Sequence, residues 1–206
     1  MHLSRILDLN LQPAGAARLA IRPLALADAA LLADAYTRNA SHLAPWEPLR
    51  EDLFFTVQGQ RTSILGKLAQ FESGTEVPWV ILAGERVVGT VTLTGIVRGP
   101  FQNAHVGYWV DRTLTGQGVA GAALKAVLEM AGEGLGLHRV QAAVLGNNGP
   151  SRAVLKRAGF EEIGLARSYL KIAGRWQDHI LYQRILPRRP GRRVLFVGRR
   201  VRHEAF

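Results

Sequence analysis

The chain has 206 residues, of which 48% are apolar and 20% are charged, a composition typical of one globular domain. It contains no cysteine, which excludes disulfides, thiolate zinc sites and cysteine nucleophiles; we expect no metal site and a cytoplasmic location. Residues 1–10 lack the layout of a signal peptide, and no apolar run is long enough to span a bilayer. These features predict a protein without membrane contact.

The positive charge is concentrated at the C-terminal end. The net charge is +10, and from Pro187 onward seven arginines stand against a single acid, Glu204. This shift divides the chain into a predicted domain of residues 1–186 and an arginine-rich tail of residues 187–206. The tail is interpreted either as an arm that contacts RNA, the ribosome or another acidic surface, or as a solvated terminus.

The first half of the chain predicts one strand followed by two helices. A short strand covers Ala17–Arg22, and residues 25–39 have apolar side chains at helical spacing, with Asn39 as a plausible C-cap. A loop containing two prolines, "HLAPWEP" (residues 42–48), leads to a second helix over Asp52–Phe71.

The second half switches to the period of β-strands. Gly84-Glu85 joins two strands into a hairpin, and a third strand precedes a glycine-rich loop. This third strand is Ala104–Val110. The remaining predicted elements are a helix at Val119–Leu135, a strand at Arg139–Leu145, a helix from the N-cap Asn148 to Gly159, and a closing hairpin with strands at Arg167–Ile172 and Arg175–Ile185. The order β-α-α-β-β-β-α-β-α-β-β predicts an α/β (α+β) fold, a mixed and mostly antiparallel sheet flanked by helices. Trp79 and Trp176 are expected in its core.

The loop "TGQGVAG" (Thr115–Gly121) fits the pattern G-x-G-x-x-G. A dinucleotide-binding turn should follow its strand directly, with an acid closing the next strand, and both features are missing. The loop nevertheless has the features of a phosphate-binding site, because its glycines let backbone N–H groups converge at the start of a helix, where a pyrophosphate binds well. The alternative is a turn that only shortens a β–α connection.

Two longer motifs carry a resemblance. "GYWVDRTLTGQGVAGAAL" and "NNGPSRAVLKRAGF" resemble the GCN5-related N-acetyltransferases over roughly Ala17–Leu186. The resemblance implies acetyl-CoA as cofactor, with its pyrophosphate on the glycine loop and its pantetheine arm near the second motif. The implied cofactor-binding residues are Trp109, Val110, Gln117, Gly118, Val119, Ala120, Gly121, Asn148 and Ser151.

Four shorter stretches, "NASHLAPWEP", "IVRGPF", "GLHRV" and "YLKIAGRWQDH", resemble the branch that acetylates the amino termini of ribosomal proteins, most of all its alanine-specific members. The implied acceptor is the N-terminal amine of a protein, such as a ribosomal protein. Three positions depart from the family pattern: Thr115 replaces Gln or Arg, Leu155 replaces a tyrosine acid, and His105 replaces a glutamate common in this branch.

His105 is the preferred candidate for the general base. An α-amine has a pKa of about 7.7–8.0, so imidazole is a sufficient base, directly or through one water. Strand alternation places His105 on one face with Gly107 and Trp109. A hydrogen-bonded structural histidine is the competing interpretation.

Other side chains are assigned from the resemblance and from their chemistry. Ser151 is expected to donate a proton to the departing sulfur, and a backbone N–H near Trp109 or Val110 to stabilise the oxyanion. Glu47 is expected to bind the incoming ammonium, or to act as base if His105 does not. The predicted acceptor-binding residues are Trp46, Glu47, Arg98, Phe101 and Tyr169.

Two other functions remain open from the sequence. The first is acetylation of a small amine such as a polyamine or an antibiotic, which an acidic acceptor site would favour. The second is a non-catalytic, acyl-CoA-binding factor associated with the ribosome through its tail.

Overall fold

The computed structural model describes residues 5–7 and 19–187. The strands are β1 (Arg5–Leu7), β2 (Leu19–Pro23), β3 (Val77–Ala83), β4 (Arg86–Val97), β5 (Asn103–Val110), β6 (Arg139–Leu145), β7 (Glu161–Ile172) and β8 (Arg175–Ile185). The α-helices are α1 (Ala29–Leu43), α2 (Val57–Glu72), α3 (Val119–Glu129) and α4 (Gly149–Arg157). The arginine-rich tail lies outside the described residues, apart from Pro187.

All eight strands form one sheet in the order β1-β2-β3-β4-β5-β6-β8-β7. Every neighbouring pair is antiparallel except β5 and β6, which run parallel. Helix α3 supplies the crossover that a parallel pair requires. The predicted class, a mixed and mostly antiparallel sheet flanked by helices, is confirmed.

The helices cover the two faces of the sheet, and the sheet divides the core into two parts. Val80, Leu82 and Trp109 pack with residues of α1 on one face. On the opposite face, α3 and α4 bury Leu124 and Leu155 against the inward-facing strand residues. Strand β4 illustrates the two-residue period: Val91 and Leu93 are buried, whereas the alternating Thr90, Thr92 and Thr94 are half-buried. None of the described helices has the length and apolar character needed to cross a bilayer.

Several boundaries match the sequence predictions, and some do not. Strands β6 and β8 occupy the predicted residues, but the short strand β1 was not predicted. Helix α1 continues past Asn39 to Leu43, so the C-cap prediction was wrong; Asn39 is fully buried because its side chain bonds another segment. The second helix starts as a 3₁₀ turn, Asp52–Phe55, before α2. Trp79 is in the core as expected, whereas Trp176 is 64% exposed, contrary to expectation.

Candidate active site

Strands β5 and β6 pair over only three residues. The register runs from Asn103↔Arg139 to His105↔Gln141 and stops there, so the strands part beyond His105. The N–H of Asp111 donates to Val88 O on β4, and main-chain direction alternates along a strand. The N–H of Val110, rather than that of Trp109, is thereby directed into the gap between β5 and β6. The gap therefore offers main-chain donors with no partner strand.

The glycine-rich loop lies at the end of β5, beside this gap. Gly116 and Gly118 have φ angles of +75° and +80°, which favour glycine, and residues Thr115–Gly118 are exposed. Gly118 is the N-cap of α3, and no side chain caps the helix start. The first N–H groups of α3 are thus available, together with the positive end of the helix dipole, to a diphosphate. This arrangement fits the predicted roles of Gln117, Gly118, Val119, Ala120 and Gly121.

A buried carboxylate fixes the start of this loop. Asp111 is 1% exposed and accepts hydrogen bonds from Asn39 Nδ2 at 3.0 Å, Arg38 Nη2 at 3.1 Å and Thr113 Oγ1 at 2.8 Å. Asn39 Oδ1 accepts from the N–H of Arg112 at 2.9 Å. Burial alone would raise the pKa of the Asp111 carboxyl, but the hydrogen bonds outweigh it and hold that pKa well below its usual range. Helix α1 therefore fixes the position of Asp111 and Arg112, which lead into the loop.

The N-terminus of α4 faces the same gap from the side of β6. Asn148 caps the helix by accepting from the N–H of Ser151 at 3.1 Å, which leaves its Nδ2 group as a donor. Ser151 Oγ lies 3.0 Å from the hydroxyl of Tyr108 on β5, so this pair of hydroxyls bridges the gap. Burial raises the pKa of Tyr108 to about 12, so its hydroxyl remains protonated at neutral pH. Leu155, in the position of the family's tyrosine acid, is fully buried in the core.

His105 lies where β5 and β6 begin to part. Its cross-strand partner on β4 is Thr94, and alternation places it on the α1–α2 face with Gly107 and Trp109. The ring is half-buried and makes no hydrogen bond within the described part of the chain. Burial lowers the pKa of the imidazole, so it is neutral at pH 7 and able to accept a proton.

Glu47 lies in a cavity of about 310 Å³ formed by α1 and the loop that follows it. The cavity is otherwise lined mainly by apolar side chains and by small ones, including Ala40 and Ala44. Burial raises the pKa of the Glu47 carboxyl, and Arg50 opposes that rise. The N–H of Ala173, in the β7–β8 turn, donates to Glu47 O at 2.9 Å and anchors the loop. The arrangement suits an ammonium group with a small side chain beside it.

Tyr36 connects this cavity to β5. Its hydroxyl accepts from Trp109 Nε1 at 3.1 Å, and its ring lies 5.0 Å from that of Trp109. Burial, with the charge of Glu47, raises the pKa of Tyr36 to about 12. The Tyr36 hydroxyl is therefore protonated and uncharged beside the Glu47 cavity.

The remaining predicted acceptor residues are not brought together at Glu47. Trp46 follows α1 but lines neither of the two cavities described for this face. Arg98 donates to Leu135 O at 2.5 Å, on the side of α3, and the Phe101 ring lies 5.9 Å from the Arg139 guanidinium. Tyr169 is half-buried, with its ring 5.9 Å from that of His179.

Four residues with a place in the site were not predicted. Tyr108 stands between the predicted Gly107 and Trp109, but its contact with Ser151 spans 43 residues and has no local signal. Asp111 follows the predicted Val110, yet its partners on α1 are 72 and 73 residues away. Tyr36 and Arg50 line the cavity through the packing of α1 against the following loop.

Comparison with known proteins agrees with this geometry. Residues 18–161 match the family model described as an acetyltransferase (GNAT) domain. The chain is 35% identical over 161 residues to a probable N-acetyltransferase, YjcK, of Bacillus subtilis, covering 77% of this chain and 89% of that protein. It is 32% identical over 167 residues to the ribosomal protein uS5-alanine N-acetyltransferase of Escherichia coli, covering 80% and 86% respectively.

A solved structure extends the agreement to three dimensions. Mycobacterium smegmatis RimJ, in complex with CoA-disulfide, is 33% identical with a TM-score of 0.79, over 88% of this chain and 85% of that one. The predicted acyltransferase class and the use of acetyl-CoA are confirmed at the level of the family. A glycine loop at the parting of β5 and β6, and a family match over residues 18–161, lead to one assignment: the chain belongs to the acetyltransferase (GNAT) family.

Proposed function

We propose that this enzyme transfers the acetyl group of acetyl-CoA to the N-terminal α-amine of a protein, with alanine as the preferred first residue and a ribosomal protein as the acceptor. The observation that carries the proposal is the parting of β5 and β6 at His105, next to an uncapped helix start. The named relative that acts on an alanine of ribosomal protein uS5 supports the choice of acceptor.

The proposed cofactor site uses main-chain donors. The N–H groups of Gln117–Gly121 hold the diphosphate, and the free Nδ2 of Asn148 donates to the pantetheine arm. The N–H of Val110 points at the thioester oxygen and stabilises the charge that develops there. Trp109 supports this position by packing under α1. The thioester supplies the activated acetyl group.

The proposed acceptor chemistry uses two titratable groups. Glu47 binds the ammonium form of the amine, and the neutral His105 takes one proton from it, directly or through one water. The amine nitrogen then bonds to the carbonyl carbon, the bond from that carbon to sulfur breaks, and the second proton of the amine leaves to solvent. Ser151 Oγ gives its proton to the sulfur and is reprotonated by the hydroxyl of Tyr108, 3.0 Å away, which regains a proton from solvent.

The domain of residues 1–186 is proposed to contain this whole site. The tail of residues 187–206 is proposed to contact RNA on an acidic partner such as the ribosome, because seven of its residues are arginines. A cytoplasmic location agrees with both parts of the proposal.

Transfer can be tested directly by the release of free CoA thiol, to which this chain contributes no background because it has no cysteine. Acetyl-CoA is incubated with peptides that begin with Ala, Ser, Met or Lys, and with spermidine. We expect the highest kcat/KM for the Ala peptide and little release with spermidine. Thiol release with spermidine alone would replace the proposal with small-amine acetylation. Tight binding of acetyl-CoA without any release would indicate a non-catalytic factor.

The identity of the base can be tested by pH–rate profiles. The wild-type rate should fall on acidification through a pKa below the usual His value of about 6.5, because burial lowers the pKa of His105. His105→Ala should lower the rate at pH 7 by roughly 100-fold and remove this limb, while the affinity for acetyl-CoA stays close to wild type. If Glu47→Gln removes the limb and His105→Ala leaves it, the base is Glu47.

A further inference from the structure

Two cavities meet behind the acceptor loop, and Arg50 stands at their boundary. The cavity that contains Glu47 has a volume of about 310 Å³, and a second cavity of about 380 Å³ extends between α1, α2 and the sheet. Among the residues that the structure describes, only Tyr36 and Arg50 line both of them. A ligand that enters the cavity containing Glu47 therefore also contacts the guanidinium group of Arg50.

The Arg50 side chain is held by two partners. Its Nε and Nη2 each donate to Glu47 Oε2 at 3.4 Å, and its Cζ lies 4.3 Å from the centre of the Phe54 ring. The side chain is 36% exposed, and hydrogen bonds of this length in a partly exposed pair are weak. An ammonium group that enters the cavity can thus take the Glu47 carboxylate from Arg50.

The charges around the two cavities are unequal. Among the described residues that line them, Glu47 is the single acid, whereas Arg50 and Lys67 are bases. Lys67 already has a partner, because its Nζ lies 2.9 Å from Oε1 of the buried Glu76. When an acceptor amine occupies Glu47, Arg50 is the cation that loses its anion.

We propose that Arg50 determines acceptor specificity: it selects a peptide N-terminus whose next residues supply a carboxylate, and it rejects acceptors that carry a second positive charge. The exposed guanidinium that Glu47 has left is then free to pair with a carboxylate of the acceptor. A second ammonium is repelled instead. The inference rests on the proposed N-terminal acceptor and adds the chemistry of its second and third residues.

The test compares three amidated peptides that begin with Ala and differ only at the second residue, as Asp, Asn or Lys. We expect kcat/KM to fall in that order for the wild-type enzyme, with roughly a five- to tenfold difference between Asp and Lys. Arg50→Gln should bring the ratio of kcat/KM between the Asp and Lys peptides to about one, by lowering kcat/KM for Asp and raising it for Lys. Arg50→Lys should keep part of the preference, because it keeps the charge.

Arg61→Gln is the matched control, because Arg61 is an exposed residue of α2 that lines neither cavity. It should leave the order and the size of the preference as in the wild type. Affinity for acetyl-CoA and the melting temperature should be the same for both Gln variants, which separates specificity from folding.

The proposal is overturned if the three peptides react alike, or if Arg50→Gln keeps the wild-type preference. A preference that Arg61→Gln also abolishes would overturn it as well, because it would then reflect general surface charge. Acetylation of spermidine but of none of the peptides would instead overturn the proposed N-terminal acceptor, and the role of Arg50 with it.

Discussion

Gly118→Val is expected to weaken the binding of acetyl-CoA by roughly 10- to 100-fold. Gly118 has a φ of +80°, and a β-branched residue in that region costs about 1–3 kcal/mol, so the chain would leave this conformation. The N–H groups at the start of α3 would then no longer converge on the diphosphate. Titration calorimetry with acetyl-CoA gives the affinity, and thermal melting gives the accompanying loss of stability.

Gly74→Val is the matched control for this prediction. Gly74 has a φ of +74° with open space where a Cβ would lie, but it follows α2 at a turn remote in sequence from the loop. Both variants should lose similar stability, and only Gly118→Val should lose affinity. Equal affinity for acetyl-CoA in the two variants would exclude the loop as the diphosphate site.

Asp111→Ala is expected to lower the free energy of unfolding by about 3–5 kcal/mol, because Asn39, Arg38 and Thr113 lose an acceptor that they share in a buried position. For a domain of this size the melting temperature should fall on the order of 10 °C. Asp34→Ala is the control, since Asp34 also pairs with Arg38 but is 63% exposed. That variant should lose less than about 1 kcal/mol. Similar losses of unfolding free energy in both variants would contradict a stabilising role for the buried Asp111 carboxylate.

The same carboxylate predicts how stability depends on pH. The pKa of Asp111 is depressed in the folded protein, so its contribution is present above the unfolded pKa of about 3.9 and is lost as pH falls through the folded value. The stability difference between wild type and Asp111→Asn should therefore be constant from neutral pH down to about pH 4 and shrink below it. Denaturant unfolding across this range measures the difference.

The sequence predicted those parts of the fold that depend on local patterns. Strands β6 and β8 have clear boundaries because turns and caps flank them, and Asn148 acts as the N-cap that its position suggested. Asn39 was misinterpreted because an asparagine near a helix end suits a C-cap equally well as a buried contact. Its partner Asp111 is 72 residues away, and no local pattern reports such a contact.

The same distinction between local patterns and long-range contacts applies to the candidate site. The glycine loop was predictable, because glycine positions and a helix start are local features. The hydroxyl pair of Tyr108 and Ser151 was not, because β5 and α4 meet only after β6 has been added to the sheet. Arg50 belongs to a loop with no periodicity, and its position between two cavities follows from how that loop packs on Phe54.

Helix α1 carries more than one task on its 15 residues. Ala40 lines the cavity that contains Glu47, and the neighbouring Arg38 and Asn39 bind Asp111, just ahead of the glycine-rich loop. If both ligands bind as proposed, this one helix borders the binding regions of both, so each ligand is expected to change the affinity for the other by the same factor. Calorimetric titration of acetyl-CoA with and without the acceptor peptide measures this coupling.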